Sequence, residues 1–204
     1  MKPASIVGGT EVTAYSLPWQ VALVSSGGNR PFCGGTLISS THVLTAAHCI
    51  NANPSSNNFD IIVGEHRYSG GGHQQDGTRH NICRAVRHSQ YNSNTLRNDF
   101  AIVHLREPVQ IGTRAAPACL PGSNLGGDFL AGKAMTVSGW GTTSSQGSQP
   151  NVLHSVTVPG ITNSQCDSAY GNNGPITNEM LCAGNLQNGG VDSCQGDSGG
   201  ILIK

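Results

Sequence analysis

Charge is scarce in this chain of 204 residues: Asp, Glu, Lys and Arg together make up 11%, and the eleven acids cancel the eleven bases. Such a balance provides no pull toward nucleic acid or an anionic membrane surface. No apolar run is long enough to cross a bilayer. There is no C-x-x-C pair, which argues against a zinc ribbon or a thioredoxin-type redox centre. There is no N-x-Ser/Thr acceptor with x other than proline, so N-glycosylation is not expected. Long helical periodicity is missing too. Glycine, by contrast, is abundant at 28 residues, and with the many Ser, Thr and Asn residues it points to short strands joined by turns.

Strand-like runs recur along the chain: WQVALVS (19–25), GTLISS (35–40), HVLTAA (42–47), FDIIVG (59–64), FAIVHL (100–105), AMTVSGW (134–140) and VLHSVTVP (152–159). Turn-rich clusters such as NANPSSNN, YSGGGHQQDG and TTSSQGSQPN divide them. The pattern predicts an all-β sandwich or barrel protein. One closed barrel would be crowded at this length, so two small antiparallel barrels are expected, with the least strand-like stretch, 107–127, as the linker.

Seven cysteines stand at 33, 49, 83, 119, 166, 182 and 194. The equal spacings of 33/49 and 166/182 have the look of loop staples, each worth roughly 3 kcal/mol in the chain-entropy picture. That points to an oxidising compartment. An odd number leaves at least one thiol without a partner in the chain.

Three places combine a reactive side chain with closely specified neighbours. In LTAAHC (44–49), His48 ends a small-residue stretch beside Cys49, and a Cys33–Cys49 bridge would pin its backbone as a general base requires. In NDFAIVHL (98–105), Asp99 opens an apolar strand, where a partly buried carboxylate needs a partner. In GDSGG (196–200), glycines flank Ser198 and let the backbone present N–H groups to an oxyanion. Each alone is common as a turn or surface residue. The order His, Asp, Ser is what gives them joint meaning.

With IVGG (6–9), PWQVAL (18–23), FCGGTLIS (32–39), SGWG (138–141), MLCAG (180–184) and DSCQGDSGG (192–200) added, the chain resembles the trypsin/chymotrypsin-type serine proteases from Ile6 to its end. The resemblance implies two packed β-barrels, roughly 6–113 and 114–204, after a leader or remnant at 1–5. It casts Ser198 as nucleophile, His48 as base and then acid, and Asp99 as the carboxylate that fixes the imidazole tautomer. It places the oxyanion donors at Gly196 and Ser198. Asp192 falls at the floor of the specificity pocket, between walls that include Ser193 and Gln195, and implies cleavage after Arg or Lys. Cleavage before Ile6 would free an α-amino group to pair with Asp197.

The resemblance further implies a secreted monomer without a required cofactor, acting on proteins and peptides, with digestive proteolysis as its work and fibrin as a narrower possible target. Protein protease inhibitors are the other expected partners. A chymotrypsin- or elastase-like preference and a catalytically inactive binding homologue are the alternatives. Glu65, in VGEH, resembles the start of the family's calcium loop. That loop offers one further acid, Asp76, against the six to eight oxygens calcium takes. His66, His73 and His80 are too irregularly spaced to read as a transition-metal site.

The chain also departs from the family. Ser5 stands where trypsin-like zymogens usually carry Lys or Arg, and Ile201 where proline usually follows the glycines. Met135 and Lys204 occupy both ends of a family disulfide. The resemblance implies further strands, and a partner for Cys194, beyond Lys204. Cys33–Cys49 and Cys166–Cys182 match family disulfides. Cys119 resembles a propeptide-bonding cysteine, and a Cys83–Cys119 bridge is the expectation for the two thiols left over.

Overall fold

A computed structural model describes residues 9–53, 57–68, 76–122, 128–142, 148–171, 176–186, 197–200 and 202–203. Eleven strands are described: β1 Thr10–Glu11, β2 Gln20–Ser25, β3 Pro31–Ser39, β4 His42–Thr45, β5 Phe59–Val63, β6 Thr78–Arg87, β7 Ala101–Leu105, β8 Ala134–Gly139, β9 His154–Ile161, β10 Cys182–Ala183 and β11 Leu202–Ile203. One α-helix, α1, covers Asn163–Tyr170. Strands β2 to β7 close into a six-stranded barrel in the order β2-β3-β4-β7-β6-β5, and β1, β9, β8, β11 and β10 form a second, five-stranded sheet. Every pairing between strands is antiparallel.

The run QVALVS is apolar on both faces because both faces are covered. Val21 and Leu23 point into the barrel with Leu37, Val43, Ile61 and Val103. Ala22 and Val24 point outward, yet are fully buried with Ile62, Tyr68, Trp140 and Leu153. The second cluster is the seam between barrel and sheet, where the Tyr68 and Trp140 rings meet edge to face at 5.6 Å. Strand β5 repeats the arrangement, and its buried Asp60 is satisfied by Arg79 Nη1 at 2.9 Å and Asn81 Nδ2 at 3.1 Å. A buried carboxylate needs such partners to remain charged.

Strand β6 escapes a period-two reading because its register shifts between Ile82 and Arg84. The extra residue lets Ile82 and Ala85, three apart, both pack against the barrel core. Helix α1 is only eight residues long, too short for periodicity to register. It is set by a capping box between Thr162 and Gln165, and ends at Gly171 in the left-handed region, φ 63°. Within the stretch read as a linker, residues 107–122 carry no strand but lie along the barrel, with Val109 and Ala115 buried in its core.

Cys33–Cys49 and Cys166–Cys182 are disulfides. The expected Cys83–Cys119 bridge is not formed: both cysteines are free and exposed. Cys83 sits at the β6 bulge, whereas Cys119 lines the cleft between barrel and sheet. Cys194 lies outside the described residues.

Arg84, His104 and His42 form one cross-strand row on β6, β7 and β4. The two imidazoles approach to 4.2 Å between centroids, and Arg84 Nη2 lies 3.4 Å from His104 Nε2. Desolvation, then Arg84 and His42, hold His104 below the usual histidine range. Its unfolded state therefore takes up a proton first. Full stability is present above the unfolded value near 6.5 and is lost as pH falls through the lower folded value. Thermal unfolding should show Tm falling between pH 7.5 and 5.5, and His104→Gln should flatten that slope. An unchanged slope in the variant would discount the row.

Candidate active site

Strand register brings His48 and Asp99 together. Thr45, the last residue of β4, pairs with Ala101, the first of β7. The residues just beyond Thr45 and just before Ala101 therefore meet at one end of the barrel. His48 occupies a 3₁₀ turn, Ala47–Cys49, anchored by Ala47 in the core and by the Cys33–Cys49 disulfide. Asp99 receives two hydrogen bonds from this one residue: the His48 backbone N–H donates to Oδ1 at 2.8 Å, and Nδ1 donates to Oδ2 at 2.7 Å. A carboxylate can only accept, so the proton belongs on Nδ1 and the lone pair on Nε2. The imidazole is 40% exposed and the carboxylate 20%. Nearby, burial and then the Asp99 charge push the Tyr91 phenol up, against the Arg87 guanidinium stacked 4.5 Å over its ring.

Ser198 arrives from the other sheet. Its turn leads directly into β11, whose Leu202 pairs with Val137 of β8. The turn then docks on the barrel: the Gly34 N–H donates to the Ser198 carbonyl at 2.8 Å, and the Gly200 N–H donates to the Asp197 carbonyl at 2.8 Å. Gly199 holds φ 78° with no room for a side chain, since a Cβ there would meet Thr45 Oγ1 and come within 2.7 Å of the Gly34 carbonyl. The same Gly34 carbonyl accepts the Thr45 hydroxyl at 2.8 Å. The Ser198 backbone thus rests against the strand pair whose disulfide fixes His48.

Asp197 is buried, 5% exposed. Its Oδ1 accepts the Gly141 N–H at 2.7 Å, and a Cβ on Gly139 or Gly141 would collide with this carboxylate. That is the physical content of the SGWG motif. Sequence reasoning missed a second link between barrel and sheet. Ser138, fully buried, donates to Oε1 of buried Gln20 at 2.7 Å. It also missed Gly34 and Thr45. The glycine pair in FCGG was the available signal for the close approach of the serine turn.

A cleft of about 970 Å³ runs past His48, Asp99, Gly199 and Gly200, with Phe100, Leu120, Leu130 and Leu181 among its apolar walls. The sequence-predicted Ile6, Asp192, Ser193, Gln195 and Gly196 lie outside the described residues, as does His73. Glu65 is buried, and its carboxylate is engaged by backbone amides: Oε1 accepts from His66, Arg67 and Asp76 at 3.1–3.2 Å, and Oε2 from Gly77 at 3.4 Å. Among the described residues the one cluster of metal-capable groups is Cys33, His48 and Cys49. Its two sulfurs are consumed by their disulfide.

An all-β chain with a closed six-stranded barrel, a second sheet and a hydrogen-bonded His–Asp pair beside the cleft has the architecture of the trypsin-like fold. Residues 6–204 match the family model described as Trypsin. Trypsin I-P1 of Gallus gallus is 41% identical over 201 residues, covering 97% of this chain and 73% of the relative. Trypsin of Sus scrofa is 38% identical over 203 residues, 97% of this chain and 79% of the relative. Serine protease filzig of Drosophila melanogaster is 40% identical along the whole chain, which spans 12% of that relative. The chain belongs to the trypsin family and is a serine endopeptidase, a hydrolase of peptide bonds.

Proposed function

We propose that this protease cleaves after Arg and Lys, using Ser198, His48 and Asp99 as its catalytic triad. The carrying observation is the doubly bonded His48–Asp99 pair, which lines the same cleft as Gly199 and Gly200 of the docked serine turn. In this reading Nε2 takes the Ser198 hydroxyl proton as Oγ attacks the substrate carbonyl carbon. The tetrahedral oxyanion is held by the N–H groups of Gly196 and Ser198. His48 returns the proton to the leaving amine, and the acyl-enzyme forms. Water, deprotonated by the same nitrogen, then releases the acid and restores Ser198.

Asp192 would sit at the pocket floor, beside Ser193 and Gln195. A unit charge pair at ~4 Å gains roughly 4 kcal/mol at an effective dielectric near 20, which corresponds to a preference of about 10³-fold. Asp197 would take the α-amino group freed at Ile6, so a form retaining Met1–Ser5 has little activity. The units 6–113 and 114–204 would each supply part of the triad. The protein would work as a secreted monomer on protein and peptide substrates, digestive or fibrinolytic, and be checked by protein inhibitors. No cofactor is required in this scheme.

The test is hydrolysis of matched Arg, Lys, Phe and Ala peptide substrates by the protein freed at Ile6, with Ser198→Ala as control. Arg and Lys substrates should turn over at least about 10²-fold faster, and Ser198→Ala should abolish the signal. A preference for Phe or Ala rejects Asp192 as the pocket charge. Activity on none rejects the catalytic reading in favour of a binding homologue.

A further inference from the structure

The loop that delivers Asp99 bends sharply just before it. Asn98 adopts a left-handed backbone, φ 54°, a conformation that Asn tolerates better than most residues carrying a Cβ. Its side-chain amide donates to the Gln90 carbonyl at 3.1 Å. Its own carbonyl accepts the Phe100 N–H at 2.8 Å, so the chain closes a three-residue turn centred on Asp99. Beyond that turn the His88 N–H donates to the Phe100 carbonyl at 2.9 Å, and β7 begins at Ala101. Asp99 therefore leaves the loop in a direction set on one side by the β7 register and on the other by Asn98.

We propose that Asn98 is a positioning residue for the triad. It holds the left-handed bend that aims both Asp99 oxygens at His48, and its tether to Gln90 keeps that bend in place. The inference rests on the reading of Asp99 as the partner of His48. Two oxygens must reach two donors on one residue, at 2.8 and 2.7 Å. A rotation of the backbone at 98 that satisfies one donor moves the other out of range. The neighbouring left-handed residue, Leu96, lies farther from Asp99 and does not share this constraint.

The experiment compares Asn98→Ala, Asn98→Gly and Asp99→Asn in the protein freed at Ile6, by steady-state hydrolysis of an amide substrate and by proton NMR of the His48 Nδ1–H. Alanine disfavours the left-handed backbone and removes the tether, whereas glycine keeps the backbone accessible. Asn98→Ala should lower kcat by about 10- to 100-fold at unchanged KM, the scale of a small misplacement of a catalytic group. It should also broaden the Nδ1–H signal through faster exchange with water. Asn98→Gly, which permits the bend but lacks the tether, should lose less: its kcat should stay at least about threefold above that of Asn98→Ala, and the signal should be sharper than in the alanine variant. If Asn98→Ala does not fold, Asn98→Ser, which lacks the amide donor, is read in the same two measurements and should lose kcat. Full kcat with an intact resonance in the alanine or serine variant overturns the proposal, as does a glycine variant as impaired as alanine. An active Asp99→Asn enzyme would instead overturn the triad reading beneath it.

Discussion

Asp99→Asn should lower kcat by about four orders of magnitude, the loss this family's triad is known for, with KM and Tm close to wild type. The hydrogen-bond pattern here explains why so conservative a change is so damaging. Asp99 faces two donors on one residue, the His48 backbone N–H and Nδ1–H. The backbone N–H can only donate, so the carboxamide oxygen must turn to it. The amide NH₂ group then faces Nδ1. Two donors cannot share that contact, and the imidazole responds by moving its proton to Nε2. An Nε2 that already carries a proton cannot take one from Ser198. The geometry survives while the base is disabled, so stability should hardly change. Steady-state kinetics on an amide substrate, paired with thermal unfolding, separates this from a folding defect. A loss below about tenfold would reject the tautomer argument.

The fold class was legible in the sequence, and the residues proposed for the chemistry stood out in it for a different physical reason. Strands β2 and β5 announced themselves because burial on both faces demands near-continuous apolar runs, interrupted here only by Gln20 and the paired Asp60 among their buried positions. Strand β6 did not. Its bulge puts Ile82 and Ala85 three residues apart on one face, and apart from the exposed Cys83 and Val86 its other positions are polar or charged. Helix α1 is held by its capping box, its glycine C-cap and the Cys166–Cys182 bridge rather than by an apolar stripe. Spacing alone also misled for Cys83 and Cys119. Their separation along the chain says nothing of the β6 bulge and the cleft, where the fold puts them.

At the site the same division holds. Reactive groups are conspicuous as types, so His48, Asp99 and Ser198 stand out. The groups proposed to orient them act on or through the backbone and pass unnoticed: the Gly34 amide on the Ser198 carbonyl, the Thr45 hydroxyl on the Gly34 carbonyl, and the left-handed Asn98. Their identity matters mainly through what a different residue would forbid. Sequence inspection weighs what a side chain supplies, and so overlooks positions selected for what their backbone permits.

Gly141 is such a position, and it yields the second large effect. The Asp197 carboxylate lies against it so closely that a β-carbon would overlap the carboxyl group, and Oδ1 accepts the Gly141 N–H. Gly141→Ala must therefore displace either strand β8's exit or the Asp197 side chain. Asp197 is the softer of the two, because its side chain can turn about its own torsions, whereas Gly141 follows a strand paired with β9 along its length. Moving it shifts the residue next to Ser198 and, in the proposed scheme, both the oxyanion donors and the partner of the Ile6 amino group. The expected loss in kcat/KM is about 10²- to 10³-fold, the scale of one lost oxyanion donor. Overpacking should also cost about 1–3 kcal/mol of stability. Gly112→Ala provides the matched control, since a β-carbon there meets nothing within 4 Å. The rate at which a fluorophosphonate labels Ser198 should fall in parallel with kcat/KM in Gly141→Ala and stay unchanged in Gly112→Ala. Labelling within about threefold of wild type in Gly141→Ala would mean that the turn absorbs the extra methyl group, and that Asp197 does not govern the reactivity of the serine beside it.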